Sequence, residues 1–576
     1  MIRILVNGKP VHAREDATIL EAVSEDKYAS QQFDISIPAI QYLKGVKEED
    51  LSGLPVVEVN GIGALVNASE AKVYAGMEVT TNSVRVVKEQ ERILQEILKD
   101  HDLDCKNCLR TGNCELQNLQ WRFRITKDAE HAENKSLPID TSGIIVRDEN
   151  KCIRCGRCIA ACHNLQGIDA IELKDDRVVP VNAEKLADTK CVNCGQCITV
   201  CPVGALREHD DTDEIFAAIA DPNKYVIIQA APSVRASVGE YFNYPVGAEI
   251  EGKLAAALRA LGFDKVFDTT FGADLTIMEE AMEFIHRVKN GGTLPMMTSC
   301  CPGWIKFCEQ EFPELIPNLS SCKSPQQMFG AVLKSYYAEM NNIKKEDIVV
   351  VSVMPCTAKK FECAREEEKV DGLTDVDYSI TVRELCRMLE RKDIAFMSLP
   401  NEEFDSPLGE KTGAGVIFGA TGGVMEAALR TAADWLSGEE LSVVDYKEIR
   451  GVKGLKETVY NVAGNEIKVA AVSGLKNVRE LMEKVAAGET DYTFIEVMAC
   501  PGGCVNGGGQ PHQIASVRMT KDLRAQRANT LYGLDEGNAL RKSHDNPEIK
   551  ALYDTYLQEP GSEKSHQLLH TTYHAR

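Results

Sequence analysis

Apolar residues alternate at the start of the chain. Ile2, Ile4 and Val6 precede Asn7-Gly8, which predicts a strand entering a tight turn. The stretch DATILEAV then places Asp16 in an N-cap position ahead of a short helix. Residues 1–90 therefore predict a small β-rich unit. Residues 91–130 carry the helical spacing of ERILQEILKDHD and then a tight loop of Cys and Gly. Residues 131–212 hold two copies of one cysteine pattern. Across 213–525 apolar runs alternate with amphipathic stretches, the pattern of an α/β layer structure. Residues 526–576 are polar and helix-forming.

Composition narrows the class. At 576 residues with 44% hydrophobic content, the chain is long enough for several packed cores. A net charge of −22 disfavours nucleic acid or an anionic membrane as principal partner, although solubility alone explains the same charge. No run of about 18 apolar residues predicts a spanning helix, and the first twenty residues lack the form of a signal peptide. The cytoplasm is the expected location. There, twenty cysteines are not read as disulfides. None lies before residue 105, eleven lie in 105–201 and nine in 300–504, a clustering suited to metal.

CIRCGRCIAAC (152–162) and CVNCGQCITVC (191–201) each spell C-x2-C-x2-C-x3-C. A loop turning every three residues supplies three thiolates to a cubane, and the fourth Cys reaches the other cluster. Cys152, Cys155, Cys158 and Cys201 are expected to hold one 4Fe–4S, and Cys191, Cys194, Cys197 and Cys162 the second. Zinc knuckles compete, but their ligands come as separated pairs. His101, Cys105, Cys108 and Cys114 form H-x3-C-x2-C-x5-C, which alone fits zinc as well as iron. Lying directly before a two-cluster module, it is read as a third 4Fe–4S.

Beyond residue 300 the cysteines change manner. Cys300 and Cys301, Cys356, and Cys500 and Cys504 each end an apolar run and are flanked by Pro or Gly. In an open α/β sheet the carboxyl ends of strands converge on a ligand crevice, so thiols meeting there imply a large metal centre. Glycines beside them let the backbone approach a bulky inorganic body.

TSCCPGW (298–304), MPCTAKK (354–360) and EVMACPGGCVNGGGQP (496–511) resemble the three signature segments of FeFe-hydrogenases, and the resemblance runs over nearly the whole chain. It implies an α/β catalytic domain of two sheets flanked by helices over 213–525, preceded by small α+β ferredoxin-like iron–sulfur domains. A small-subunit-like segment would end the chain. It implies reversible conversion of protons and electrons to H2 at an H-cluster, a 4Fe–4S held by Cys301, Cys356, Cys500 and Cys504. Cys504 would bridge to a two-iron unit carrying CO, cyanide and a dithiolate. Cys300, Glu280, Ser320, Glu283 and Arg287 would form the proton route. Lys359 would face a cyanide, and Ala231, Pro232, Ser233, Ser299, Gln326, Met354, Phe418 and Met498 would line the cluster. By spacing alone Glu280, Glu283 and Arg287 share one helix edge, usually a solvated one. Ferredoxin or a similar small carrier, H2, protons and maturation proteins are the implied partners of a monomer. A non-catalytic hydrogen sensor or iron–sulfur assembly relative is the alternative.

One departure stands out. The family's first domain usually holds a 2Fe–2S on four cysteines, but the corresponding positions here fall at Gln41, Ser52, Pro55 and Ser69, and no 2Fe–2S is expected. Arg110, Arg122, Arg124 and Lys127 suggest a basic patch for an acidic carrier. Cys308, Cys322, Cys363 and Cys386 read as small hydrophobes. His566, His570 and His574 read as a helical tail face, and GATGGV (419–424) lacks the rest of a phosphate loop.

Overall fold

The structure is a computed structural model that describes residues 1–27, 29, 32–47, 50–126, 137–462 and 464–576. The opening alternation does form a hairpin. β1 (Ile2–Val6) pairs antiparallel with β2 (Lys9–Ala13) across Asn7 and Gly8, which take positive φ of 49° and 74°. That conformation fits the twist of a two-residue hairpin. The helix α1 (Ile19–Glu25) starts at Thr18, not Asp16: the Thr18 hydroxyl accepts from the Glu21 amide while the Glu21 carboxylate caps Thr18 N. Thr18 sits immediately before the apolar face, so only its hydroxyl meets the free amides. With β3 (Val56–Val59), β4 (Val66–Asn67) and β5 (Glu78–Thr80) the unit closes as a five-stranded sheet in the order β2-β1-β5-β3-β4.

α2 (Val84–Lys99) leads into the His101 loop. In the repeat, β6 (Ile145–Arg147) pairs with β9 (Leu206–Glu208), which brings the module's ends together, and β7 (Ile171–Lys174) pairs with β8 (Arg177–Pro180).

The large domain has two four-stranded sheets. One is wholly parallel, β11 (Lys265–Asp268), β10 (Tyr225–Ala230), β13 (Ile348–Met354) and β14 (Tyr378–Thr381) in spatial order. The other runs β12 (Met296–Met297), β17 (Phe494–Met498), β16 (Asn465–Ser473) and β15 (Leu455–Val462), with only the β15–β16 pair antiparallel. Strands such as IVVVSVM are buried almost throughout, as parallel strands covered on both faces must be. Between the sheets run α3 (Thr270–Asn290) and α4 (Gly423–Ser437), both largely buried. One hydrophobic core joins Ile198 and Val203 of the repeat to Trp304, Leu475, Val497 and Ala499 of the large domain, so relay and catalytic domain pack as one body.

The tail does not hang free. α5 (Leu523–Gly537) sends Asp535 to Arg430, a fully buried ion pair, and Arg527 to Glu240. After α6 (Glu563–Leu569) the chain pairs with residues 321–323: Lys323 N donates to Leu569 O and Thr571 N to Ser321 O, both at 2.8 Å. His566 and His570 therefore do not share one exposed helical face with His574, which lies beyond the helix end. No helix among the described residues is long and apolar enough to cross a membrane.

Candidate metal centres and proton route

The repeat gathers its thiols in two groups. Gly156 and Gly195 take the left-handed conformation that turns each loop into its short helix, at φ 72° and 70°. Cys152, Cys155, Cys158 and Cys201 line one small apolar cavity. Burial, helped by the charge of Cys201, pushes the Cys152 thiol up to about 11, and burial with Cys201 and Cys152 pushes Cys155 up to about 12. Cys162 is perturbed by Cys191, and Cys194 and Cys197 by both of them. Thiols that raise one another's pKa in an apolar hole lack a cation, and an iron–sulfur cluster supplies it.

His101 is prepared as a ligand. Its Nδ1 lies 3.0 Å from the Lys151 carbonyl, which can only accept, so Nδ1 carries the proton and Nε2 keeps its lone pair. Burial lowers its pKa to about 4, which keeps the ring neutral. Cys108 lies against Gly204, where a side-chain Cβ would come within 2.9 Å of the sulfur.

The downstream thiols converge from both sheets. Cys300 and Cys301 follow β12, Cys356 follows β13, and Cys500 and Cys504 follow β17. Burial raises the pKa of Cys504, with Cys301 and Cys356 adding to it; Cys500 responds to Cys356, Cys194 and Cys301. The influence of Cys194 on Cys500 puts the second set of repeat thiols beside this group. Cys300 packs in a different core from Cys301, on the opposite side of the chain. The glycines after Cys504 are tight: a Cβ at Gly507 would meet Pro355 O at 2.1 Å, and one at Gly508 would meet Cys194 O at 2.1 Å.

The residues fit an H-cluster on an observation of their own. The Ser233 hydroxyl, at the end of β10 after Ala231 and Pro232, is buried without a hydrogen-bond partner among the described residues. Lys359 Nζ donates to Cys300 O at 3.1 Å and to both Glu362 oxygens. Burial works against its charge, but the Glu362 carboxylate outweighs it and the pKa lies above the usual value. Met354, Phe418 and Met498 are buried apolar walls. Ser299 donates to Cys322 O at 2.7 Å. Gln326 differs from expectation, because its amide is taken up by Ser352, Ser379 and Glu362 and so braces the carboxylate that holds Lys359.

On α3, Glu280 is buried, and neither of its carboxyl oxygens has a hydrogen-bond partner among the described residues. Burial first, then the Glu283 charge, raises its pKa to about 8. Glu283 accepts from the Ser320 hydroxyl at 3.1 Å and from Arg287 at 2.5 Å. The edge that spacing alone reads as solvated is thus turned inward as far as Glu283. Cys300 responds to Glu280 after burial, which links thiol and carboxyl.

Some residues do more than the sequence suggests. Cys322 Sγ lies 3.8 Å from Glu283, and with His570 these residues bring a sulfur, an oxygen and a ring nitrogen within 4.8 Å. The Cys363 sulfur accepts from Gln326 at 3.3 Å. Cys308 and Cys386 are buried as small hydrophobes. At GATGGV, the amides of Gly422 and of Met425, just after the segment, are taken by the Glu496 carboxylate, which fills the place of a phosphate. Of the four basic residues, Arg110 is buried against Cys201 O, Arg122 is exposed and donates to Ser36, Arg124 is exposed, and Lys127 lies outside the described residues.

Comparison with known proteins agrees along the whole chain. The family "Iron only hydrogenase large subunit, C-terminal domain" matches residues 224–508, and "Iron hydrogenase small subunit" matches 521–576. A "4Fe-4S dicluster domain" matches 145–207, and the "NADH-ubiquinone oxidoreductase-G iron-sulfur binding region" matches 90–128. Iron hydrogenase 1 of Clostridium pasteurianum is 42% identical over the full length of both chains. The NADP-reducing hydrogenase subunit HndD of Solidesulfovibrio fructosivorans is 46% identical, covering 100% of this chain and 99% of that one. A FeFe-hydrogenase structure from Chlamydomonas reinhardtii superposes with a TM-score of 0.57 at 43% identity, covering 64% of this chain and 99% of its own. This chain belongs to the FeFe-hydrogenase family.

Proposed function

We propose that the chain is an enzyme that interconverts protons and electrons with H2, and that its residues divide into a relay, a cluster cradle and a proton route. The observation that carries this reading is the convergence of Cys301, Cys356, Cys500 and Cys504 from the strand ends of two sheets, with Cys300 beside them and close enough to Glu280 to feel its charge. When bound, the H-cluster supplies the metal chemistry that makes and breaks the H–H bond. The chain's part is to hold it, exclude water and deliver protons. Lys359 and Ser233 would orient its anionic ligands, and Met354, Phe418 and Met498 would keep water away. Cys300 would exchange protons with it, refilled through Glu280, Ser320 and Glu283. A sensor or assembly factor has no use for such a route.

The cofactor set that follows is three accessory 4Fe–4S clusters and the H-cluster, about eighteen irons per chain. Electrons would pass from the His101 site through the Cys152 and Cys191 sites to the active site. The segments 1–90, 91–130, 131–212, 213–525 and 526–576 would then be a cluster-free β-grasp unit, the two relay domains, the catalytic domain and a small-subunit-like clamp. A cytoplasmic monomer served by a ferredoxin-like carrier and matured by accessory proteins is the simplest setting. A second reading has one specific support, the whole-length likeness to a protein named as a subunit of an NADP-reducing hydrogenase. It makes this chain the hydrogen-handling subunit of a larger assembly.

Infrared spectroscopy and hydrogen evolution on protein matured in full test the main reading. CO and cyanide bands on iron together with turnover are expected, and loaded iron without such bands refutes it. Size in solution, with turnover driven by ferredoxin or NADPH, separates monomer from subunit.

A further inference from the structure

The outer end of the proposed proton route holds a puzzle. Arg287 is the surface residue next to Glu283, yet a guanidinium does not give up its proton at working pH. Its Nη atoms are also committed to Glu283 and to the carbonyls of Thr293, Pro317, Asn318 and Leu319. Arg287 fixes Glu283 in place but cannot pass protons to it.

A titratable group does reach Glu283 from the other side. Ser321 Oγ lies 3.1 Å from Glu283 Oε2 and 2.8 Å from His570 Nδ1. The pairing of residues 569–571 with 321–323 holds the imidazole there. Its Nε2 lies 3.1 Å from Glu279 Oε2, and Tyr553 and Ser565 also donate to the Glu279 carboxylate. The groups facing the ring are Glu279 and Glu283 on α3, Cys322 on the paired segment, and His566 on α6. The exposed His566 ring packs at a centroid distance of 4.0 Å.

Donor counting shows why Ser321 matters. Its single proton can go to Glu283 or to Nδ1, but not to both. When it goes to Glu283, Nδ1 must donate to the serine oxygen; since Nε2 faces a carboxylate, the ring is then the imidazolium. When Ser321 donates to Nδ1 instead, the ring is neutral. The hydroxyl can therefore hand a proton across.

We propose that His570 is the outermost proton-exchanging group of the route, joined to Glu283 through the Ser321 hydroxyl. This rests on reading Cys300, Glu280 and Glu283 as that route. In the inward step the imidazolium gives its Nδ1 proton to Ser321 Oγ while the Ser321 proton moves to Glu283 Oε2. A neutral imidazole and a neutral carboxyl result, and no electrons move. The reverse step empties Glu283 during H2 oxidation. An imidazole can both take up and give up a proton, which suits both directions. The His570 side chain itself is only 8% exposed, and the exposed His566 ring packed on it gives access to water.

The test uses cluster-loaded protein and two readouts. His570→Gln keeps a polar side chain of similar reach but cannot titrate. It is expected to retain iron and the CO and cyanide bands while turnover falls about tenfold or more and its pH profile changes, within the range for loss of one acid–base group. Ser321→Ala, which leaves the imidazole in place, should do the same and decides the matter if His570→Gln loads poorly. Apart from turnover, the ring signals of His570 in 13C-histidine-labelled protein should shift on Glu283→Gln, and Ser321→Ala should abolish that response. Wild-type turnover and pH profile in both variants, or His570 ring signals indifferent to Glu283→Gln, overturns the proposal. Cys300→Ala run alongside separates the failures: if it too is fully active, the underlying route is wrong rather than its outer end.

Discussion

Two loop regions face similar geometric demands and meet them in opposite ways. In the repeat, loops at 152–158 and 191–197 bury thiols that push one another's pKa up, an arrangement short of positive charge until iron is present. In the first unit, the loop that in the family carries cluster cysteines turns around the carboxylate of Asp50, which is wholly buried. Asp50 accepts from the amides of Gln41 at 2.7 Å, Tyr42 at 3.2 Å and Ser52 at 3.0 Å, and from the Ser52 hydroxyl. Its own amide donates to Ser69 Oγ, and Asn67 holds both Ser69 and the Asp50 carbonyl. Two of the four positions expected for cysteine, Gln41 and Ser52, are thus tied to one carboxylate, and a third, Ser69, to the backbone amide of the same residue. An anion made by the chain collects amides that an anionic cluster would otherwise attract. The contrast predicts iron where the chain leaves its charges unbalanced and none where it balances them itself.

The largest test of that contrast lies at the active site, where adjacent thiols should differ. Cys301→Ala is expected to lose the active cluster, seen as missing iron and missing CO and cyanide bands. Cys300→Ala should keep both while turnover falls by about 10²–10⁴, the usual worth of a proton donor. Near-normal hydrogen production by Cys300→Ala with intact bands removes it from the route.

Glu280 gives a second test, through pH. Its folded pKa of about 8 lies above the model-compound value of 4.5, so the folded state binds the extra proton. Its contribution is therefore full below about 4.5 and is lost as pH rises through about 8, at roughly 1.4 kcal/mol per unit between the two. Glu280→Gln should gain stability relative to the parent as pH rises over that window, measured by denaturant unfolding. A difference independent of pH means the carboxyl is not held neutral.

The first unit should respond in the opposite currency, stability without iron. Asp50→Ala leaves several buried amides unpaired at about 1–3 kcal/mol each, so its strands should become susceptible to limited proteolysis. Iron per chain should not change. Loss of iron on this substitution would mean the loop serves a metal after all.

Much of this was legible because it is local. Cysteine spacing names its own partners within a loop, and alternation at Ile2, Ile4 and Val6 names a strand. The misses are long-range. Asp50 looks like an ordinary loop acid until Gln41 and Tyr42 fold over it. Cys322 looks like a spacer until α3 places Glu283 beside it. His570 lies 291 residues from Glu279, its partner, so a four-residue histidine period said nothing useful. Arg110 carries the charge of a patch residue but is spent on the Cys201 carbonyl. Thr18 displaced Asp16 because capping is decided by which hydroxyl lies one residue before the helix.

The smallest expected effect asks whether the first unit still acts on the relay. Lys47 Nζ donates to the Cys155 carbonyl at 2.6 Å, and a Cβ on Gly156 would come within 3.2 Å of that nitrogen. A cation so close to a cluster ligand favours the cluster's reduced, more negative form. The side chain is only half-buried, so water screens it, and an effective dielectric between that of a surface pair and bulk water gives about 1 kcal/mol at several ångströms. For a one-electron couple that is about 40 mV. Lys47→Gln should therefore lower the potential of the Cys152–Cys155–Cys158–Cys201 cluster by tens of millivolts in a redox titration followed by electron paramagnetic resonance. Its iron content and the hydrogen-producing site should be unaffected. An unchanged potential would reduce the first unit to a cover over the relay, while a shift would show that a unit closed by its own carboxylate still tunes the electrons passing beneath it.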